Sequence, residues 1–142
     1  HHLYGMKTVA FRYTNVYGER ARHVGTYAPC VSKFIKMKKE GQPLTIFGDG
    51  EQRRDFIHVS DVVNANAVIS FEELDNWGEV YNIGYGENWS VNEIANAISD
   101  DQVHLSAKPG EMKETLADIR KAKTELTWKP KVNILDWIKT QV

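Results

Sequence analysis

Leu44-Thr45-Ile46-Phe47-Gly48-Asp49-Gly50-Glu51-Gln52-Arg53-Arg54-Asp55-Phe56-Ile57-His58-Val59-Ser60-Asp61 holds a strand, a turn, a second apolar segment and a helix start in one short stretch. Leu44–Phe47 is apolar and β-branched, and Gly48-Asp49-Gly50 ends it with turn chemistry. Phe56–Val59 is the second apolar segment. Ser60 is placed to N-cap a helix from Asp61 to about Phe71. Between them lie two adjacent arginines. A guanidinium is a planar fork of donors that matches a phosphate bidentately. Neighbouring side chains point different ways, so at most one of the pair is expected to bind a ligand directly. Asp55 is then a candidate to orient the buried one. The competing expectation is a surface salt bridge.

The flanking sequence alternates between strands and helices. Lys7–Tyr13 is a short β-branched and aromatic strand, and the polar run Thr14–Gly25 is expected to be a loop. Tyr27–Glu40 carries Val31, Phe34, Ile35 and Met37 at near-helical spacing, closed by Gly41. Val80–Ile83 is a strand broken by Gly84 and Gly86. Ser90-Val91-Asn92-Glu93 is a capping box that opens a helix. Val103–Ser106 is a short strand, Asp118 caps a helix through Leu126, and Asn133 starts the last helix. Short elements with short connections give a mixed α/β class, expected as a single domain over 1–142.

The chain of 142 residues is 42% hydrophobic, enough for a core. No apolar run is long enough to span a membrane. The start, His1-His2-Leu3-Tyr4-Gly5, lacks a basic segment followed by an apolar one, so no secretory signal is expected. The two histidines are either natural or a tag remnant. Cys30 is the single cysteine, which excludes an internal disulfide and makes a reducing cytoplasm the expected compartment. Charge is uneven: residues 1–54 hold ten Lys/Arg against four Asp/Glu, and residues 55–142 hold eight against fifteen. A basic half suits an anionic ligand or a solvated helix face, since Lys33, Lys36, Lys38 and Lys39 share one helix. A nucleic-acid binder is a third possibility that rests on this charge alone.

Two absences bear on chemistry. No glycine is followed by another three residues later, so the phosphate loop of a dinucleotide fold is missing. No tyrosine has a lysine four residues downstream, the spacing by which an ammonium on the same helix face lowers a phenol's pKa. The five histidines lack metal-ligand spacing, and the serines fit no nucleophile elbow. No catalytic residue and no metal site is therefore assigned.

Two further segments carry polar groups in telling places. In Arg12-Tyr13-Thr14-Asn15-Val16-Tyr17-Gly18 a strand ends with an Asn at its carboxyl edge, where open α/β sheets bind ligands. Asn15 offers both donors and acceptors there, or else is a turn residue. In Lys108-Pro109-Gly110-Glu111, followed by Thr115-Leu116-Ala117-Asp118, a rigid turn presents an ammonium beside a carboxylate able to accept from ribose hydroxyls. A plain polar turn is the alternative.

In order, Arg-Tyr-x-Asn-Val-Tyr-Gly, Gly-Asp-Gly-x-Gln-x-Arg-Asp-Phe-Ile-His-Val-x-Asp, Tyr-Asn-Ile-Gly and Pro-Gly-Glu…Ala-Asp resemble the extended short-chain dehydrogenase/reductase family. The narrower resemblance is to UDP-glucose 4-epimerase and related NAD-dependent NDP-sugar epimerases and dehydratases, over about Leu3 to Trp137. It implies the C-terminal, substrate-binding portion of an extended Rossmann-type enzyme, with short strands and several helices but without the N-terminal dinucleotide-binding βαβ units. In such enzymes the Gly-rich loop and the Tyr-x-x-x-Lys pair lie upstream of Arg-Tyr-x-Asn, in line with the two absences. By the same resemblance Tyr13 lies near the nicotinamide end of NAD, and Asn15 bonds the diphosphate or sugar. Phe47 helps hold the nucleobase, Arg54 grips the diphosphate, and Lys108 and Glu111 contact the nucleoside ribose and phosphates. Relatives often carry Arg and Asp at the last two positions, and Lys for Arg loses the bidentate fork. Leu126-Thr127-Trp128 stands where Leu-Gly-Trp is usual, a departure that concerns a helix end rather than a ligand.

The expectation is an NDP-sugar-binding portion of a truncated or split enzyme, inactive alone, with NAD bound only by the complete enzyme. Expected partners are a nucleoside-diphosphate sugar, a separately encoded N-terminal half, and a second copy in a dimer that is possible by strand exchange. A stand-alone, non-enzymatic nucleotide-sugar-binding module is the alternative.

Overall fold

A computed structural model describes residues 1–25, 28–71, 74 and 76–142. Its strands are β1 (Ala10–Tyr13), β2 (Asn15–Tyr17), β3 (Leu44–Phe47), β4 (Arg53–Arg54), β5 (Phe56–His58), β6 (Val80–Ile83), β7 (Trp89–Ser90) and β8 (Gln102–Leu105). Its helices are α1 (Cys30–Lys39), α2 (Val59–Phe71), α3 (Val91–Asn96), α4 (Arg120–Glu125) and α5 (Ile134–Lys139). The strands form four two-stranded sheets. Three are parallel (β1 with β6, β2 with β5, β3 with β8), and β4 pairs antiparallel with β7. Among the described residues no helix is long and apolar enough to cross a membrane.

β5 divides the interior. Successive side chains of a strand point to opposite faces, so Phe56 joins one core with Tyr17, Val31, Phe34, Leu44, Trp89 and Ile134. Ile57, the next residue, joins another with Tyr81, Ile83, Ala122, Leu126 and Trp128. Both cores are closed by elements remote in sequence.

Locally encoded features appear where the sequence places them. Ser90 accepts from the Glu93 amide at 3.0 Å while the Glu93 carboxylate accepts from the Ser90 amide at 2.6 Å, a complete capping box. Asn133 Oδ1 accepts from the amides of Leu135 and Asp136 and opens α5. Gly41, at φ 66°, follows α1 in the left-handed conformation that suits a residue without a Cβ. Thr127 takes φ 50° with a Cβ in place. It links the buried Leu126 and Trp128, so the departure from Leu-Gly-Trp is a backbone strain at the end of α4.

Other expectations need correction. Asn15–Tyr17, inside the expected loop Thr14–Gly25, is strand β2: Asn15 pairs with Phe56 and its amide donates to the Asp55 carbonyl at 3.0 Å. Its partner lies some forty residues away, which polarity alone does not reveal. Ser60 is not the cap of α2, which begins at Val59. The Ser60 amide donates to His58 Nδ1 at 3.2 Å, and the Ser60 hydroxyl lies 2.7 Å from the same nitrogen. An accepting Nδ1 puts the ring proton on Nε2, 3.5 Å from Glu19 Oε1. α4 starts at Arg120 behind Ile119 and ends at Glu125; Asp118 accepts from the Arg120 amide at 3.0 Å rather than sitting at the N-cap. The Arg120 guanidinium bonded to it lowers the Asp118 carboxyl to about 2. β1 is shorter than Lys7–Tyr13, and Tyr27, the expected start of α1, lies outside the described residues.

Candidate functional site

Strand alternation separates the two arginines. Arg53 pairs with Ser90 and Arg54 with Trp89. Arg53 turns toward Asn88, donating to its side-chain and main-chain oxygens at 2.8 Å each, and lies 3.0 Å from the Glu93 carboxylate. It is tied to the start of α3. Arg54 turns the other way, with its side chain only 17% exposed and Nη2 3.4 Å from Glu111 Oε1. Its Nη1 donates to the Arg53 carbonyl at 2.8 Å, which fixes the guanidinium close to its own strand.

Asp55 orients neither arginine. Its side chain is 0% exposed and accepts four bonds from other parts of the chain: Thr14 Oγ1 at 3.1 Å and the amides of Tyr85, Gly86 and Ala117 at 2.8, 3.1 and 3.2 Å. A buried carboxylate persists when hydrogen bonds replace its hydration, and here main-chain amides do most of this.

Phe47, Lys108 and Glu111 come together although sixty residues of sequence separate the first from the others. Parallel pairing of β3 with β8 matches Phe47 with Leu105, and the following turn brings Lys108 back over Phe47. The ammonium sits 3.9 Å from the ring centroid, a cation–π contact. These three residues with Gln52 line two adjoining cavities of about 430 and 370 Å³. Gln52, to which no role is assigned from sequence, donates to the Phe47 carbonyl at 2.9 Å and so braces the Gly48-Asp49-Gly50 turn. Cys30 also lines the larger cavity. Burial pushes its thiol up to about 11, against smaller opposing pulls from the Val31 amide and Arg54, so it is a neutral side chain rather than a nucleophile.

Asn15 and Tyr13 belong to a second cleft of about 410 Å³, lined also by Arg12, Thr14, Asn82 and residues 115–117. Asn15 Nδ2 donates to the Asp55 carbonyl at 2.9 Å. The Tyr13 hydroxyl and the Asn66 amide lie within 3.3 Å of one another, while 46% of Tyr13 stays exposed. The six candidate residues thus divide: Phe47, Lys108 and Glu111 line one wall, which Arg54 reaches through Glu111, and Tyr13 and Asn15 line another. Residues 108–117 run from the first to the second, held to β4 by the Arg53 amide bonded to the Lys113 carbonyl at 2.8 Å and the Thr115 amide bonded to the Arg53 carbonyl at 3.1 Å.

The closely spaced glycines do not form a phosphate cradle. A phosphate cradle needs glycines whose empty side faces the ligand. A Cβ on Gly50 would run into the Asn92 side chain, and one on Gly86 would lie 2.7 Å from Ile119. At least one glycine of each closely spaced pair is held by internal packing. Among the described residues no group of three or more His, Cys, Asp or Glu could hold a metal ion.

The chain is 40% identical to the putative UDP-glucose 4-epimerase of Methanocaldococcus jannaschii over 99% of its own length and 46% of that protein. It is 35% identical to the UDP-glucuronate 4-epimerase of Thermodesulfobacterium geofontis, over 100% and 44%. Among solved structures it resembles the Thermotoga maritima UDP-glucose 4-epimerase with UDP-glucose, at a TM-score of 0.88 and 34% identity over 99% of this chain and 46% of that one. The Bacillus cereus UDP-glucuronic acid 4-epimerase, in complex with UDP-glucuronic acid and NAD, matches at 0.86 and 35% with the same coverage. The chain therefore spans less than half the length of these relatives, and the fold it shares with them is a part of theirs. The family model for NAD dependent epimerase/dehydratase matches residues 1–84, and with these relatives along its whole length the chain belongs to that family.

Proposed function

We propose that this chain is the sugar-nucleotide-binding portion of an NAD-dependent NDP-sugar epimerase or dehydratase, and that it performs no hydride chemistry alone. The observation that carries this is the convergence of Phe47, Lys108 and Glu111 on one wall, with Arg54 paired to Glu111. An aromatic face, a guanidinium, an ammonium and a carboxylate meet the needs of a base, a diphosphate and a ribose. Asn15 and Tyr13, in the neighbouring cleft, would take the sugar and the nicotinamide edge of NAD held by the missing half. NAD, when bound by a complete enzyme, supplies the hydride acceptor. The residues here bind and orient only, since a glycine of each Gly-x-Gly pair serves packing and no Tyr-x-x-x-Lys pair is present.

Calorimetry with UDP-glucose tests the binding claim. The chain is expected to bind it without NAD, and equal binding by Arg54→Ala overturns the assignment. Mixing the chain with a soluble N-terminal half from a relative is expected to restore epimerase activity; a soluble but inactive mixture overturns the split-enzyme reading.

The same reading places the chain in the cytoplasm, docked on such a half or on a second copy. Among the described residues β1 and β6 pair only with each other, and open edges favour association. Val63 and Phe71 of α2 are 62% and 89% exposed, an apolar surplus on that helix. Sedimentation as a monomer with unprotected amides at residues 7–13 would remove this part.

A further inference from the structure

We infer that Asp55 is a positioning residue that holds the two clefts at a fixed separation, with Gly84 providing the space it needs; the inference rests on the sugar-nucleotide reading above. Asp55 follows Arg54 directly, and its main-chain carbonyl accepts both the amide and the side-chain Nδ2 of Asn15, at 3.0 and 2.9 Å. Backbone and side chain together therefore join the residue before it, on the cation-bearing wall, to the residues of the other cleft.

The carboxylate does the rest. Oδ1 accepts from Thr14 Oγ1 and the Tyr85 amide, and Oδ2 from the amides of Gly86 and Ala117. Thr14, Asn15 and Ala117 all line the second cleft. A residue serving only the core would bond inward; this one accepts two of its four carboxylate bonds, from Thr14 and Ala117, from walls of the second cleft. Three of its four donors are main-chain amides, which a rotamer change cannot redirect, and loss of the acceptor leaves them buried and unpaired.

Gly84 accounts for the last position of the Tyr-Asn-Ile-Gly motif, whose Asn82 lines the second cleft. A Cβ there would lie 2.7 Å from Asp55 Oδ2, 2.8 Å from Thr14 Cγ2 and 3.0 Å from the Ala117 Cβ. The three groups it would strike are the carboxylate and two of its tethered segments, so glycine is required for the chain after β6 to reach Asp55.

Two probes read separation and cleft integrity independently. On the sugar-nucleotide reading UMP would reach only the wall of Phe47, Lys108 and Glu111, whereas UDP-glucose would span both clefts. Asp55→Asn keeps the volume but turns an NH2 group toward buried donors. It is expected to weaken UDP-glucose about tenfold by calorimetry, with UMP changed by less than about twofold. Should Asp55→Asn not fold by circular dichroism, Thr14→Val and Gly84→Ala decide. Thr14→Val removes one bond and is expected to cost UDP-glucose about threefold with UMP unchanged. Gly84→Ala pushes the same groups apart and is expected to show the same selectivity. Equal losses for both ligands in these variants would make Asp55 an ordinary structural residue and overturn the inference, as would no loss at all. A wild-type chain that fails to bind UDP-glucose overturns the binding reading itself, and this inference with it. Wild-type binding with unselective variants overturns the positioning role alone.

Discussion

One cleft carries an ammonium over an aromatic ring, with a half-buried guanidinium reaching its wall through Glu111. The other, Arg12 aside, is lined by amides, hydroxyls and the apolar Leu116 and Ala117. The two are joined by a single stretch, residues 53–56, and by the segment that crosses beneath Arg53. An anion is best held by fixed cations in a place of reduced solvent access, and a neutral polyol by amides and hydroxyls that both donate and accept. The contrast teaches that the ligand is expected to be chemically lopsided, with charge at one end and hydroxyl groups at the other.

The sharpest way to break that contrast is Arg54→Ala, expected to weaken UDP-glucose about fiftyfold by calorimetry through loss of charge-assisted hydrogen bonds. Arg54→Lys should fall between the two, since charge survives without the fork. Lys108→Met comes next. It keeps an apolar stem over Phe47 and is expected to cost about tenfold at low salt, with a shallower dependence of affinity on ionic strength. Unchanged salt dependence would mean the ammonium stays on the ring and never meets a phosphate. Asn15→Ala should cost UDP-glucose about fivefold and leave UMP untouched, the size of one neutral hydrogen bond. An equal effect on UMP would erase the distinction between the clefts. Thr127→Gly lies in neither and serves as the control. Relief of the left-handed strain is expected to add about 1 kcal/mol of stability, seen as a melting temperature higher by about 3 °C, with binding unchanged.

What was legible in the sequence is what is encoded locally. The Ser90 box and the Asn133 cap satisfy donors within one turn, so a few residues suffice to declare them. The opposed directions of Arg53 and Arg54 follow from strand alternation alone. β2 was hidden because Asn15 and Tyr17 find their partners in Phe56 and His58, and nothing within Thr14–Gly25 announces a neighbour so distant. His58 displaced Ser60 as the acceptor at the start of α2 for a related reason: a buried imidazole takes that part only when Tyr17 and Trp137 pack around it. Asp55 looked like a partner for an arginine because it adjoins two. Its true partners are main-chain amides, which every residue carries and no sequence distinguishes. The nearness of Lys108 and Glu111 to Phe47 and Arg54 came from motif order, since no local rule relates residue 47 to residue 108.

The split between Phe56 and Ile57 also bears on how this chain can vary in length. A one-residue shift in a strand exchanges its two faces. A single deletion or insertion between Arg53 and His58 would thus send Phe56 toward the core built for Ile57 and the reverse, and would turn Arg54 from its wall toward Asn88. Length changes are expected to be absent from that stretch in any working version of this protein.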